Sequence, residues 1–322
     1  QKLNAQNPGI PLQEAKITSL FYADDVVLMS TSPEDMHLSI QTLITELHKI
    51  DLKINSKKSK IMKIGPCTQQ QTRWLIYDTS GELNGEMEEI KEFKYLGVMI
   101  SSKGLGQAHE AHIQKKIKFQ VAKTISQSSQ SLAGEITAEY LWQNKAKQIL
   151  LHGIAPFSLT KKIQKDLEVA QMKIAKYILQ VSQSTNGSLS RLHLGWTSIV
   201  NEIHIKQLQL WCRLLNMNDN RLPKKAFLMT TAQNSSKWNS NIQELQTKYN
   251  LTIPPKSQPH GLASIKSTVI RTSTMEDEMS AKIGNWPYRL RIDRKEWHIK
   301  TKANNIITQA ILRDTFSITG NI

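Results

Sequence analysis

The sequence predicts an α+β protein: a small antiparallel sheet with a packed helix over residues 1–105, an all-α basic bundle over 106–250, and a less regular region over 251–322. Three observations lead there. Between residues 17 and 101, short apolar runs rich in β-branched and aromatic residues alternate with turn residues, the pattern of strands. From about Gly106 those runs give way to apolar residues every three or four positions, the period of helices. The charge divides at the same place: residues 1–100 carry 11 Lys/Arg against 13 Asp/Glu, net −2, and residues 101–322 carry 31 against 14, net +17.

Taken in order, residues 1–16 with Pro8-Gly9-Ile10-Pro11 read as an irregular lead-in. Ile17 to Tyr22 and Asp25 to Ser30 are strands, joined by the short Ala23-Asp24 reversal, so that Asp24 and Asp25 stand at a hairpin tip. Burying an unpaired carboxylate costs several kcal/mol, so the pair must face a polar cleft or a cation. Hard oxygen ligands on a tight turn suit Mg²⁺ or Mn²⁺. Taken alone, an Asp-Asp pair is also the mark of a helix start or a solvated turn.

Ser32-Pro33-Glu34-Asp35 then starts a helix, with Ser at the N-cap, Pro at N1 and acids in the first turn. Its apolar stripe is Met36, Ile40, Leu43, Ile44, Leu47 and Ile50, which packs on the sheet. Leu52–Asn55 and Lys60–Ile64 are short strand-like runs around the turn Ser56-Lys57-Lys58-Ser59. Gly65-Pro66 ends that unit, Arg73 to Tyr77 is a further strand, and Ile90 to Ser101 reads as a hairpin around Gly97. Among the helices that follow, Ile113, Ile117, Val121 and Ile125 stripe the first, with Lys115, Lys116, Lys118 and Lys123 around the rest of it. Residues 135–152 make the second, Thr160 caps the third with stripe Ile163, Leu167, Ala170, Ile174 and Ile178, and 198–217 make the fourth.

Composition excludes several classes. No apolar run approaches the roughly 18 residues of a membrane span, so no membrane partner is expected. Cys67 and Cys212 lack Cys/His neighbours at metal-ligand spacing and read as thiols in a reducing compartment. Nine scattered histidines form no catalytic or metal cluster. The overall charge of +15 points to a polyanion, since every phosphate neutralised releases counterions. Trp286-Pro287-Tyr288-Arg289 and Arg294-Lys295-Glu296-Trp297 mix cations with aromatics, as single-strand binders and ordinary packed surfaces both do.

Phe21-Tyr22-Ala23-Asp24-Asp25-Val26-Val27-Leu28-Met29 resembles the catalytic hairpin of reverse transcriptases, in the form found in non-LTR (LINE-like) retrotransposons. Leu52-Lys53-Ile54-Asn55 with Lys58 and Ser59 resembles the following segment, with Asp51 where that family usually has glycine. Phe93-Lys94-Tyr95-Leu96-Gly97 resembles the hairpin called the primer grip, and Leu194-Gly195-Trp196 and Trp211-Cys212-Arg213 weakly resemble the region after the polymerase core. The resemblance implies an RNA-directed DNA polymerase: residues 1–105 part of a palm, 106–250 a thumb-like bundle, 251–322 an extension of unassigned role. It implies Asp24 and Asp25 as Mg²⁺ ligands, Tyr22 near the primer or nucleotide, and Lys58 near the triphosphate. Phe93, Lys94, Tyr95, Leu96 and Gly97 would lie at the primer terminus, and Lys115, Lys116, Lys118 and Lys123 on nucleic acid. Partners would be an RNA template, a DNA primer and deoxynucleoside triphosphates, in the cytoplasm and nucleus of a retroelement ribonucleoprotein. That family places a third aspartate on a strand before the hairpin, whereas residues 1–19 hold Glu14 and no aspartate. The start at Gln1-Lys2-Leu3-Asn4, without Met or signal peptide, suggests a fragment, so a missing N-terminal half is expected and weak polymerisation by this piece alone. A nucleic-acid-binding module and a decayed relic are the alternatives left open.

Overall fold

The computed structural model describes residues 9–12, 14–65, 73–104, 106–232, 236–251 and 261–283. It is α+β, with small sheets followed by helices, and no described helix is long and apolar enough to cross a membrane. Two compact units form: Gln1–His112 with Arg213–Asn241, and Ile113–Cys212 with the described residues after Ile242.

The first unit opens on a hairpin that the composition of its lead-in does not announce. β1 (Ile10–Leu12) pairs antiparallel with β2 (Ala15–Ile17). β3 (Ser19–Tyr22) and β4 (Asp25–Leu28) form the acidic hairpin, prolonged by Met29 N donating to Thr18 O at 2.8 Å. α1 (Pro33–His48) starts as its residues dictate, with Ser32 Oγ accepting from Asp35 N at 3.1 Å. It ends at His48, which leaves Ile50 beyond the stripe and 63% exposed, against the expectation that it packs. Asp51 turns the chain with φ 57°, a left-handed conformation that glycine adopts freely and aspartate tolerates better than most residues.

Residues 52–55 are not a strand, and β5 is only Lys60–Ile61. The three-stranded sheet runs in the order β5-β7-β6, with β6 (Trp74–Tyr77) antiparallel and β5 parallel to the central β7 (Leu83–Glu89). β7 escapes sequence reading because four of its seven residues are polar or acidic on exposed positions; Met87 alone anchors it, 6% exposed. Asp78 makes the β6–β7 turn, accepting from Ser80 N and Glu82 N at 2.9 Å each. The core is Ile40 and Ile44 of α1 on Ile61, Trp74, Ile76 and Met87, joined by Leu28, Met36 and Ile54, with His37 stacked 4.6 Å from Trp74. β8 (Glu92–Tyr95) and β9 (Val98–Ser101) close the unit's sheets. α8 (Leu222–Ala232) belongs to it as well.

The second unit is helical, as the apolar stripes require. Its elements are α2 (Gln107–Ser129, from Ile113), α3 (Gly134–Leu141), a π-helical turn (Trp142–Ala146), α4 (Lys147–Leu150) and α5 (Lys161–Ile178). α6 (Gly187–Leu194), most of α7 (Ile199–Asn216), the end of α9 (Lys237–Lys248) and α10 (Gly261–Ile283) complete it. The run expected as one helix over 135–152 is therefore interrupted by a wide turn, closed by Lys147 N on Trp142 O. Thr160 is the N-cap of α5, but its side chain makes no capping bond. The motif Leu194-Gly195-Trp196 is a helix end: Gly195 has φ 66°, Trp196 N donates to Arg191 O at 3.0 Å and Gly195 N to Leu192 O at 3.1 Å. Trp142, Ile113, Leu150, Ile154, Leu167, Ile174, Ile199, Ile203 and Leu208 are among the fully buried core side chains, and Cys212 is a buried thiol. Cys67 and the aromatic-basic segments after Trp286 lie outside the described residues.

Candidate active site

The acidic hairpin is held by four register pairs, from Ser19 opposite Leu28 to Tyr22 opposite Asp25, leaving Ala23-Asp24 as a two-residue loop. Such loops take turns whose first residue has positive φ, and Ala23 has φ 53°. A residue with a Cβ pays about 1–2 kcal/mol for that conformation. Strain of this kind persists where the surrounding pairing enforces it. The result projects Asp24 from the loop and Asp25 from the first position of β4, both exposed.

Their apolar flank is exposed too: Leu20 38%, Phe21 61%, Tyr22 64% and Val26 38%. The pressure against which the carboxylates were expected to need a cation is thus not burial within this chain. It is an apolar hairpin standing out from the first unit's surface, with the carboxylates at its tip. Neither carboxylate makes a hydrogen bond or ion pair among the described residues. The donors are hard oxygens of the kind Mg²⁺ and Mn²⁺ take. Among the described residues, however, no group of three or more His, Cys, Asp or Glu gathers. Asp24 and Asp25 together present two exposed carboxylates, fewer than the three or more side chains of a closed metal cage.

The other expected residues are distributed as follows. Lys58 is exposed on a turn organised by Asn55, whose Oδ1 accepts from Lys58 N at 3.2 Å and whose carbonyl accepts from Ser59 N at 2.9 Å. Phe93 and Lys94 lie on β8, exposed, while Tyr95 is half-buried opposite Val98. Leu96 and Gly97 form its two-residue loop with φ 45° and 84°, both positive as the tight reversal needs. Lys115, Lys118 and Lys123 are exposed on α2 and Lys116 is half-buried. Lys58 and the β8–β9 hairpin share the first unit with the acidic hairpin; the α2 lysines belong to the other unit.

Residues 2–100 match the family model described as reverse transcriptase (RNA-dependent DNA polymerase). The matched segment spans the acidic hairpin, the Lys58 turn and the β8–β9 hairpin in one frame, which is the order the residues themselves suggested. A Caenorhabditis elegans protein described as uncharacterized and transposon-derived is 18% identical over 166 residues, covering 52% of this chain. The chain spans 58% of that relative's length. No solved structure matches it at a significant level. A reverse-transcriptase-like segment of retroelement character is what these similarities support.

Sequence reasoning missed a polar core in the second unit. Arg191, 7% exposed, donates to Glu168 and to both oxygens of Asp277, the Nε–Oδ2 bond at 3.3 Å, and Ser198 Oγ donates to Glu168. Burial pushes the guanidinium's pKa down, but the bonds to Asp277 and the charge of Glu168 more than offset this and leave it raised. Beside it Tyr249 donates to Asn201 Oδ1 at 2.7 Å and takes His204 Nδ1 at 2.7 Å, so Nδ1 carries the proton. Burial, helped by Lys248 and opposed by Glu276, lowers His204 to about 4; burial and Glu276 raise Tyr249. Arg191, Glu168, Asp277, Ser198, Asn201 and Glu276 help line a cavity of about 340 Å³. The partners sit 23 to 86 residues apart, so no local pattern marks them.

Proposed function

We propose that the chain is the C-terminal portion of a non-LTR (LINE-like) reverse transcriptase, an RNA-directed DNA polymerase that adds deoxynucleotides to a primer on an RNA template. In this reading residues 1–105 are part of the palm, 106–250 the thumb-like region and 251–322 an extension. The observation that carries it is the exposed carboxylate pair at a tight hairpin tip inside the segment that matches the reverse transcriptase family.

Asp24 and Asp25 hold Mg²⁺ or Mn²⁺, with a further carboxylate supplied from outside the described residues. When bound, the metal neutralises charge on the attacking 3′-oxygen and the leaving pyrophosphate. The exposed Tyr22 ring packs on the primer or nucleotide, and Lys58 offers its ammonium to the triphosphate. The β8–β9 hairpin steadies the primer end, while Lys115, Lys116, Lys118 and Lys123 contact the nucleic-acid backbone. Cytoplasm and nucleus are the compartments of such an enzyme. Because the carboxylate set is incomplete among the described residues, residues 1–322 alone should bind template–primer but extend it poorly. Primer extension on poly(rA)–oligo(dT) with Mg²⁺ tests this: robust synthesis by residues 1–322 would overturn the missing-ligand argument.

The net charge of +17 over residues 101–322 favours one second reading, a nucleic-acid-binding module without catalysis. The two part company when the chain is joined to the coding sequence upstream in its gene: an enzyme gains extension activity, and a binding module does not.

A further inference from the structure

Within the second unit α2 and α5 lie side by side and run the same way. Gln114 Nε2 donates to Asp166 Oδ2 at 3.2 Å, and further along both helices Ser128 Oγ donates to Tyr177 at 3.2 Å. Ile113, Ile117 and Val121 of α2 and Ile163, Leu167 and Ile174 of α5 turn into the core. The opposite sides face out. On α2 that side carries Lys115, Lys118, Phe119 and Lys123, one stripe at helical spacing, all exposed. On α5 it carries Lys162, Lys165, Val169 and Lys173, again all exposed.

None of these six lysines is in an ion pair among the described residues. The acid between the helices, Asp166, is engaged by Gln114. In the middle of this positive field stand two apolar side chains, Phe119 at 61% exposure and Val169 at 52%, with Lys123 Nζ 5.8 Å from the Phe119 ring centre. Lysines alone would attract any polyanion. An aromatic ring left in water among them adds a demand for something flat and apolar that arrives with the phosphates.

We propose that the outer face of α2 and α5 binds single-stranded nucleic acid, with phosphates on the lysines and an unpaired base stacked on Phe119. A duplex keeps its base faces stacked inside and offers Phe119 nothing to cover. The proposal deepens the nucleic-acid part of the function above, adding Phe119 and the α5 lysines, and is independent of the metal pair.

The test is fluorescence anisotropy of residues 1–322 with a labelled oligouridylate, a blunt duplex of the same length, and heparin as a base-free polyanion, all in EDTA. Phe119→Ala should weaken the single strand about 5- to 100-fold and leave heparin unchanged, while Phe119→Tyr keeps affinity. Lys162→Gln/Lys165→Gln/Lys173→Gln should weaken both ligands and flatten the log–log salt slope for the single strand by about 2. The binding readout in EDTA needs neither metal nor catalysis, so failure of the catalytic reading leaves this result standing. The proposal is overturned if Phe119→Ala binds the single strand normally or loses heparin equally, if the triple variant is unaffected, or if Phe119→Ala weakens the duplex as much as the single strand.

Discussion

Replacing His204 with glutamine should remove a large part of the protein's acid sensitivity. His204 is 8% exposed and bonded to Tyr249, and burial lowers its pKa to about 4. The unfolded chain takes up that proton near pH 6.5, so unfolding is favoured as pH falls from about 6.5 towards 4, and the full stability of the neutral ring is present only above that window. Between pH 7.5 and 4.5 the difference in proton binding is worth about 2.5 kcal/mol. Glutamine keeps a donor for Tyr249 but cannot titrate. At pH 7.5 it should cost about 1 kcal/mol through imperfect replacement of the hydrogen bond. Urea unfolding of the wild type and His204→Gln at the two pH values gives the four free energies required. The wild type should lose about 2.5 kcal/mol more than the variant on acidification. Parallel losses in the two proteins would refute the argument that His204 is held neutral by its surroundings.

Three further outcomes follow from the packing. Asp277→Ala strips Arg191 of one buried carboxylate and should lower the unfolding free energy by about 3–5 kcal/mol, whereas the exposed neighbour Glu278→Ala should stay within about 0.5 kcal/mol; equal effects by denaturant titration would contradict the buried ion cluster. Ile76→Ala, at 2% exposure in the first unit's core, should cost about 2–5 kcal/mol, while Ile50→Ala, outside the stripe, should cost little. Ala23→Gly relieves the positive φ of the acidic loop and should leave stability unchanged or raised by up to about 1 kcal/mol, whereas Ala23→Val should lower it, read from the thermal midpoint.

Much of this was legible in the residues because local chemistry was strong. Ser32-Pro33-Glu34-Asp35 starts a helix by capping alone, and the hairpins at Ala23-Asp24 and Leu96-Gly97 are closed by two-residue loops between β-branched and aromatic neighbours. The first helix of the basic region and the helix after Thr160 follow from their apolar stripes. What stayed hidden depends on distant partners. β7 is a strand because β5 and β6 flank it and Lys60 and Lys63 meet Glu88 and Glu89, not because of its own composition. β1 and β2 are three residues each, one of them with Pro11, too short to rise above an irregular reading. α10 buries Ile265 and Val269 and is fastened further through Asp277, 86 residues from Arg191, a pairing no local pattern marks. At the site itself, the carboxylate pair and its flanks were readable, but the exposure of Phe21 and Tyr22 was not, because only the folded unit shows which side of a hairpin lacks cover.

The central claim is that Asp24 and Asp25 are metal-holding carboxylates of a polymerase whose ligand set is completed from outside the described residues. Primer extension on poly(rA)–oligo(dT) with Mg²⁺ tests it most directly, using residues 1–322 joined to the coding sequence upstream in the gene, with and without Asp24→Asn. The account predicts template-dependent extension by the joined protein and loss of extension in Asp24→Asn while template–primer binding is retained. Extension that survives Asp24→Asn undiminished would contradict it.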